Sequence, residues 1–180
     1  MQTLVTLHNR IFLVLGRADD WIVPTLARFT FAAVLSVYFW SSAMTKLGPG
    51  LFGWLNPSSG AFAQMFPKAM EAVSYDQSQL GIGYHLFALV GTWAEFILPA
   101  LLILGLFTRI GAIGMIVFIL VQSYVDVTGH KAAAATIGAW FDRDSGSMIM
   151  DQRLLWVTIL LVLVIKGAGP ISADRALRIA

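Results

Sequence analysis

An acidic residue stands in the middle of a long apolar stretch of this 180-residue chain. Glu95 lies twelve residues from either end of the segment 83–107, about 18 Å of helix rise from each end. An ionisable group at that depth in hydrocarbon is costly and needs a partner, a water-filled cavity or a function. Pro99 cannot donate a hydrogen bond to the Glu95 carbonyl, so we expect a kink that leaves this carbonyl free. Glu95 is therefore the candidate catalytic residue, with proton transfer as its role.

A purely structural role is the alternative for Glu95. Its carboxyl group would then be neutral, or would be hydrogen-bonded to a neighbouring helix through Ser36, Tyr38, Ser41 or Thr158.

A second group of polar residues has the spacing of metal ligands. Asp126 and His130 are four residues apart and share one face of a helix, with Gln122 one turn deeper. His85 opens the preceding apolar segment and could join them across a hairpin. These three side chains, His85, Asp126 and His130, would suit copper or zinc. The alternative is an interfacial pair that only forms a hydrogen bond.

Aromatic and basic residues accompany these acids. Tyr38, Trp40 and Trp93 would suit a quinone pocket around Glu95, and Arg28 lies deep enough to reach a buried carboxylate or carbonyl. Lys46, at the end of its apolar segment, is expected to extend to the outer surface. For Asp151 and Arg153, the candidate partners are Lys46 and Asp126.

Composition places these residues in a membrane. Apolar residues make up 58% of the chain and charged residues only 12%, and a soluble fold of this size cannot cover so much apolar surface. A net charge of +2 without a basic block argues against nucleic acid as a partner. The absence of cysteine excludes disulfides, thiolate metal sites and iron–sulfur clusters on this chain.

Four apolar segments predict an all-α membrane protein, built as one bundle of four transmembrane helices over residues 1–180. A span needs about 20 residues. The predicted spans are 26–47, 83–107, 110–127 and 151–168, the last around a short apolar core. Only Thr108 and Arg109 separate the second and third spans, so these spans should form a tight antiparallel hairpin.

Amphipathic segments lie outside the predicted spans. Apolar residues recur at helical spacing between Phe62 and Val73, which predicts a helix lying on the membrane. The Ala-rich stretch Lys131–Trp140, in a second long outer loop, is a candidate for another. The segment 1–20 is expected to form a separate interfacial helix rather than a cleaved signal peptide, because no basic region precedes its apolar face.

Orientation follows from the basic residues in the connections. An even number of spans places both termini and the Thr108–Arg109 turn on one side, which carries Arg10, Arg17, Arg28, Arg109, Lys166, Arg175 and Arg178. The opposite side carries Lys46, Lys68, Lys131, Arg143 and Arg153. The seven lie in shorter connections than the five, so both termini are expected in the cytoplasm and the two long loops outside.

Three short motifs, in this order, give the chain a family resemblance. Arg28 precedes Lys46-Leu47-Gly48 in the first span, and Glu95 precedes the run from Gly105 to Arg109. A Gly/Pro-rich exit then leads to Ser172-Ala173-Asp174. In these features the chain resembles the DoxX family over residues 26–174.

That resemblance implies a four-helix protein of the bacterial inner membrane, with the lipid bilayer as its surroundings. Relatives are associated with quinone-linked oxidoreductases, oxidative-stress complexes and metal-binding modified peptides. The first hypothesis is thus a redox-associated subunit that binds quinone or docks a soluble or membrane oxidoreductase. The second is a non-enzymatic partner in copper, zinc or oxidative-stress defence, and the third is a small transporter. The sequence leaves the oligomeric state open.

Overall fold

The chain folds into a bundle of helices in the computed structural model, which describes residues 1–179 apart from the side chain of Arg17. The helices are α1 (Gln2–Val34), α2 (Ser36–Lys46), α3 (Ser59–Met65), α4 (Pro67–Ala72), α5 (Ile82–Leu104), α6 (Thr108–Thr128), α7 (Ala134–Ile137), α8 (Arg153–Lys166) and α9 (Ala173–Leu177). A 3₁₀ turn at Gln77–Gln79 precedes α5, and a π-helical turn at Met148–Gln152 leads directly into α8. No strand occurs within residues 1–179.

Three helical segments are long and apolar enough to cross a bilayer. They are α5, α6 and the segment Met148–Lys166, each with a mean hydropathy of 2.0. A fourth span exists if Ala18–Val34 and α2, which are bent by 44°, count as one. The all-α membrane class is thus confirmed, with three spans or, counting the bent pair, four.

The helices close into a ring around an aromatic core. Helix α8 packs against α1 and α6, while α5 packs against α1, α2 and α6. Phe31, Phe39, Met115, Leu160 and Leu163 are fully buried where these helices meet. Lipid tails are as apolar as these side chains, so close packing rather than transfer out of water must hold the helices together.

A bend between α1 and α2 redirects the first span. The hydroxyl of Ser36 donates a 2.6 Å hydrogen bond to the carbonyl of Ala32, one turn earlier in the helix. Such back-bonding by serine competes with the backbone ladder and bends helices. The bend lies where Leu35 separates the two helices, and it leaves α2 packed along α5. The second half of the first span is thereby brought against the helix that carries Glu95.

The N-terminal segment is continuous with the helix that follows it. Residues 2–34 make one continuous helix, so the segment 1–20 is the first part of α1. Near the middle of α1, Asp19 and Asp20 both accept hydrogen bonds from Lys166 at the end of α8. This polar contact joins α1 to the end of α8.

The two predicted loop helices also differ from expectation. Pro67 starts a new helix at its first position, so the segment 62–73 is divided into α3 and α4. Phe62 and Met70 are buried against Leu80 and Ala88, which places this pair of helices on the bundle. Of the stretch 131–140, only the single turn α7 is helical.

The hairpin between α5 and α6 is confirmed, and Gly105 makes its turn. Gly105 has a φ of +66°, a value that favours glycine. A Cβ atom at this position would also lie 2.8 Å from Cζ of Arg28 and 2.7 Å from Cβ of Ser172. Both the backbone conformation and the lack of space therefore require glycine in the turn.

Arg28 ties three parts of the chain together at this end of the bundle. Its Nε donates to the carbonyl of Leu102 at 3.0 Å, and Nη2 donates to Ile103 at 2.6 Å, both in the last turn of α5. Its Nη1 donates to the carbonyl of Ala168 at 3.0 Å and also to that of Ile171, beyond α8. The final carbonyls of a helix have no partner within the helix. Arg28 supplies a donor to the carbonyl of Ile103 and a second donor to that of Leu102, which also accepts from the Gly105 N–H.

Asp174 completes this arrangement from the C-terminal side. Its carboxylate accepts hydrogen bonds from the backbone N–H groups of Phe107, at 2.6 Å, and Thr108, at 3.0 Å. Its own N–H donates to the carbonyl of Gly105 at 2.8 Å. We call Arg28, Gly105 and Asp174 together the arginine clasp. One residue from each of the three motifs that gave the family resemblance thus contributes to this clasp.

The arginine clasp gives a stability prediction. Arg28→Lys should lower the free energy of unfolding by about 2 kcal/mol, because one ammonium cannot reach four carbonyls that a planar guanidinium satisfies together. Thermal unfolding in detergent measures the change. Arg10→Lys, on the exposed start of α1, is the matched control and should be neutral. Equal stability of both variants would contradict the role given to Arg28.

Candidate functional site

Lys46 and Glu95 form an ion pair inside the bundle. The ammonium of Lys46 lies 2.8 Å from Oε2 and 3.0 Å from Oε1 of Glu95. The two side chains are only 4% and 3% exposed. Ser42 lies one turn before Lys46 and accepts a hydrogen bond from its ammonium at 2.7 Å. The Ser42 hydroxyl in turn donates to Oε1 of Glu95 at 3.3 Å.

The expectation that Lys46 extends to the outer surface is therefore wrong. Packing of α2 along α5 brings the Lys46 ammonium within reach of the Glu95 carboxylate. Burying the two charges as an ion pair costs less free energy than burying either charge alone. Each charge in such a pair depends on the other, since removal of one partner leaves a buried charge uncompensated. None of the serine, tyrosine and threonine partners considered for Glu95 from the sequence is used. Ser42 takes that place instead.

A cavity of about 380 Å³ opens beside this ion pair. It lies between α5 and α6, with α2 and α3 contributing to its wall, and most of the lining is apolar. The larger apolar side chains of the wall include Phe87, Val90, Leu98, Val117, Phe118 and Val121. Gly91, Ala94 and Gly114 also line it, and the small size of these residues leaves the space open. Its polar lining consists of the Lys46–Glu95 region and, toward the end of α6, Gln64, Gln122, Asp126 and His130.

A second ion pair borders the cavity near the end of α6. Nη2 of Arg153 lies 2.5 Å from Oδ2 of Asp126, and Nη1 donates to the hydroxyl of Ser123 at 2.9 Å. Arg153 is 4% exposed, and its Nε has no acceptor among residues 1–179. From the sequence, Lys46 and Asp126 were the candidate partners for Asp151 and Arg153. In the structure, Arg153 pairs with Asp126. Helices α6 and α8 are joined by this contact.

The three predicted metal ligands do not form one site. In the described part of the chain, no three His, Asp or Glu side chains are grouped closely enough to hold a metal ion. Asp126 is paired with Arg153, and Nε2 of His130 lies 2.9 Å from the carbonyl oxygen of Gln64. His85 packs edge-on against Phe62, with Nδ1 3.3 Å from the Gly81 carbonyl. Helical spacing put Asp126 and His130 on one face, but partners from other helices engage them separately.

The predicted quinone-binding residues lie outside the cavity wall, except for Glu95. Tyr38 accepts a hydrogen bond from Gln122 at 3.0 Å and packs against Trp156 in the core. Trp40 donates to the carbonyl of Phe96, and Trp93 to that of Trp54. Arg28 belongs to the arginine clasp. These aromatic residues therefore support the frame around the cavity rather than line it.

Sequence reasoning missed Lys46 and Ser42 as members of the site. The available signal was that ionisable residues within spans tend to pair with one another. Glu95 is the only acid inside the second and third apolar segments as far as residue 125. Lys46 is the base at the end of the first apolar segment. The sequence did not reveal the bend in the first span, which determines how closely Lys46 approaches Glu95.

The ion pair predicts a distinctive pattern of stability. Glu95→Gln should lower the free energy of unfolding by about 3 kcal/mol, because it leaves the Lys46 ammonium buried and unpaired. Lys46→Gln should do the same by isolating the carboxylate. The double variant Lys46→Gln/Glu95→Gln should be more stable than either single variant, since two amides can hydrogen-bond without a net charge.

Thermal unfolding of the four proteins in one detergent measures this coupling. Glu71→Gln, at an exposed position of α4, is the control for loss of a glutamate carboxylate. Additive losses in the double variant would show that the two side chains do not interact.

Comparison with known proteins gives the family. The DoxX family model matches residues 23–128, which include Arg28, Lys46, Glu95 and the turn from Gly105 to Arg109. The exit motif around Asp174 lies beyond the match. No curated protein and no solved structure matches the chain. With more than half of its length matched by that model, the chain belongs to the DoxX family.

Proposed function

We propose that this DoxX protein is a membrane subunit that binds a quinone in the cavity between α5 and α6 and thereby supports an oxidoreductase. The observation that carries the proposal is a largely apolar cavity of about 380 Å³ with a buried Lys46–Glu95 pair in its wall. Small-molecule sites in proteins have volumes of roughly 300–1,000 Å³ and combine apolar walls with a few polar groups. A quinone ring with its carbonyl oxygens has the matching chemistry.

Lys46 is the hydrogen-bond donor for such a ligand. Its ammonium has three protons and contacts both oxygens of Glu95 and both oxygens of Ser42. The contact with the Ser42 carbonyl is the longest, at 3.3 Å. A ligand carbonyl would replace the Ser42 carbonyl as an acceptor, and the ion pair with Glu95 would persist.

Glu95 is the residue that holds and releases a proton beside the ligand. It is the one carboxylate of the wall within the apolar middle of α5, and Lys46 and Ser42 hold it in place. A bound quinone would supply the acceptor of electrons and protons. The chain itself supplies a dry pocket, an orienting donor and a proton-exchanging group, so the electrons must come from a partner oxidoreductase.

Quinone binding can be tested by filling the cavity. Ala94→Leu places a larger side chain in the wall without touching either charge, and it should weaken binding of a short-chain ubiquinone at least tenfold. Titration calorimetry in detergent measures the dissociation constant. Ile97→Phe, on the exposed side of the same helix, adds similar bulk outside the cavity and should bind like the wild type.

The Lys46→Gln/Glu95→Gln variant completes this test. It should fold yet bind the quinone more weakly, because an amide donates less strongly than an ammonium. Wild-type affinity in both Ala94→Leu and the double variant would exclude this cavity as the quinone site.

The location proposed for the protein is the bacterial inner membrane, with both termini in the cytoplasm. Two of the five basic residues on the loop side, Lys46 and Arg153, are buried in ion pairs. Arg28 and Lys166 on the terminal side are engaged as well, so two basic residues drop out on each side and the bias toward the terminal side keeps its sign. Contacts of Lys166 with Asp19 and Asp20 also support a common end for the N-terminal part of α1 and the end of α8.

Single cysteines in this cysteine-free chain can report the orientation. Ser74→Cys, in the loop before α5, should react with a membrane-impermeant maleimide in cells whose outer membrane has been made permeable and whose inner membrane is intact. A cysteine in place of Ala176, in α9, should react only after the cells are lysed. The reverse pattern would overturn the assignment.

A further inference from the structure

A second cavity lies at the end of the bundle that carries the arginine clasp. It has a volume of about 560 Å³ and shares no lining residue with the cavity between α5 and α6. Three basic residues line it: Arg109 at the start of α6, Lys166 at the end of α8, and Arg175 in α9. Its carboxylates are Asp20 and Asp174, so the lining carries more positive than negative charge.

The carboxylates of this cavity are engaged, whereas two of its cations have no carboxylate partner among residues 1–179, and Arg109 donates only a long hydrogen bond of 3.5 Å to the Ile165 carbonyl. Both oxygens of Asp174 accept backbone hydrogen bonds in the clasp, and Asp20 is paired with Lys166. Arg109 and Arg175 are exposed and form no ion pair with any residue from 1 to 179. Their positive charge is therefore available to an external anion.

The backbone at the start of α6 adds further donors. Asp174 accepts from the N–H groups of Phe107 and Thr108, and the N–H of Gly111 donates to the Phe107 carbonyl. The N–H groups of Arg109 and Ile110 have no acceptor within the described chain. A helix N-terminus with free N–H groups attracts anions.

A buried hydroxyl provides an independent sign that the cavity lacks a ligand. Thr108 also lines it, and this residue is only 1% exposed. Its Oγ1 is paired with no atom of residues 1–179. Buried polar groups are normally hydrogen-bonded, so an unpaired hydroxyl in the wall indicates that a polar group from outside the chain belongs there.

We propose that this cavity binds a phosphate group carried by an anionic membrane phospholipid. Arg109 and Arg175 contact the phosphate oxygens, and the free N–H groups at the start of α6 donate to them. The cavity lies where the apolar spans end, which is the depth of lipid headgroups, and Trp21 in its wall is typical of that interface. A lipid also has acyl chains that can lie along the exposed Ile110 of α6.

Native mass spectrometry of the full chain in detergent tests the proposal, with phosphatidylglycerol as the probe. Wild-type protein should retain the lipid. Each basic residue near an anionic lipid surface strengthens binding by roughly fivefold. Arg175→Gln should therefore bind the lipid about fivefold more weakly, and Arg109→Gln/Arg175→Gln about 25-fold more weakly. Arg143→Gln, an equally exposed arginine beyond the other end of α6, is the control of equal charge and should bind like the wild type.

Thermal unfolding of each variant separates lipid loss from misfolding. If the double variant unfolds early, Arg175→Gln alone decides, because the Arg175 side chain forms no ion pair with any residue from 1 to 179. The same loss in Arg143→Gln, or none in either variant at the cavity, would overturn the proposal. Arginine-dependent binding of inorganic phosphate, without such dependence for the lipid, would also reject the lipid and identify a soluble anion as the ligand.

Discussion

Polar groups in the interior of this bundle must find their partners within the chain, because hydrocarbon offers none. Lys46 and Arg153 meet this requirement inside the bundle, and Arg28 and Lys166 form similar links between helices at its end. Lys46 links α2 to α5, Arg153 links α8 to α6, and Lys166 links α8 to α1. Arg28 joins α1 to the end of α5 and to the segment after α8. Together these contacts connect every span to a neighbour, so the ring of helices depends on them as much as on its apolar core.

The bend in the first span connects this constraint to the cavity. Without a change of direction near Leu35, α2 would continue the line of α1. With the bend, Ser42 and Lys46 face α5 and leave a space bounded by small residues of α5 and α6. A Cβ atom at Gly91 would lie 2.8 Å from Cε of Met65, and one at Gly114 would lie 2.8 Å from Cδ2 of Leu98. Glycine at these two positions therefore allows Met65 and Leu98 to pack closely against α5 and α6.

The two cavities differ in charge and hence in the ligands they suit. Beside α5 the charges are paired and buried, so an uncharged ring with hydrogen-bond acceptors is favoured over an ion. At the end with the arginine clasp, the exposed Arg109 and Arg175 line a cavity beside the N-terminus of α6, which favours an anion. The two proposed sites would therefore take a neutral molecule inside the bundle and a charged one at its end.

Much of the fold follows from sequence alone, because the bilayer imposes length and composition on each span. The apolar stretches predicted α5, α6 and the last span, and the short connection between α5 and α6 predicted their hairpin. The position of Glu95 in the middle of an apolar segment identified it as a candidate site residue. Tertiary structure decided which charges pair. Glu95 and Lys46 are 49 residues apart in sequence, and only the bend at Ser36 brings them together. Likewise Asp126 and His130 share a helical face, but Arg153 from another helix takes the carboxylate. Spacing along a helix fixes which face a side chain occupies, whereas its partner depends on how separate helices pack.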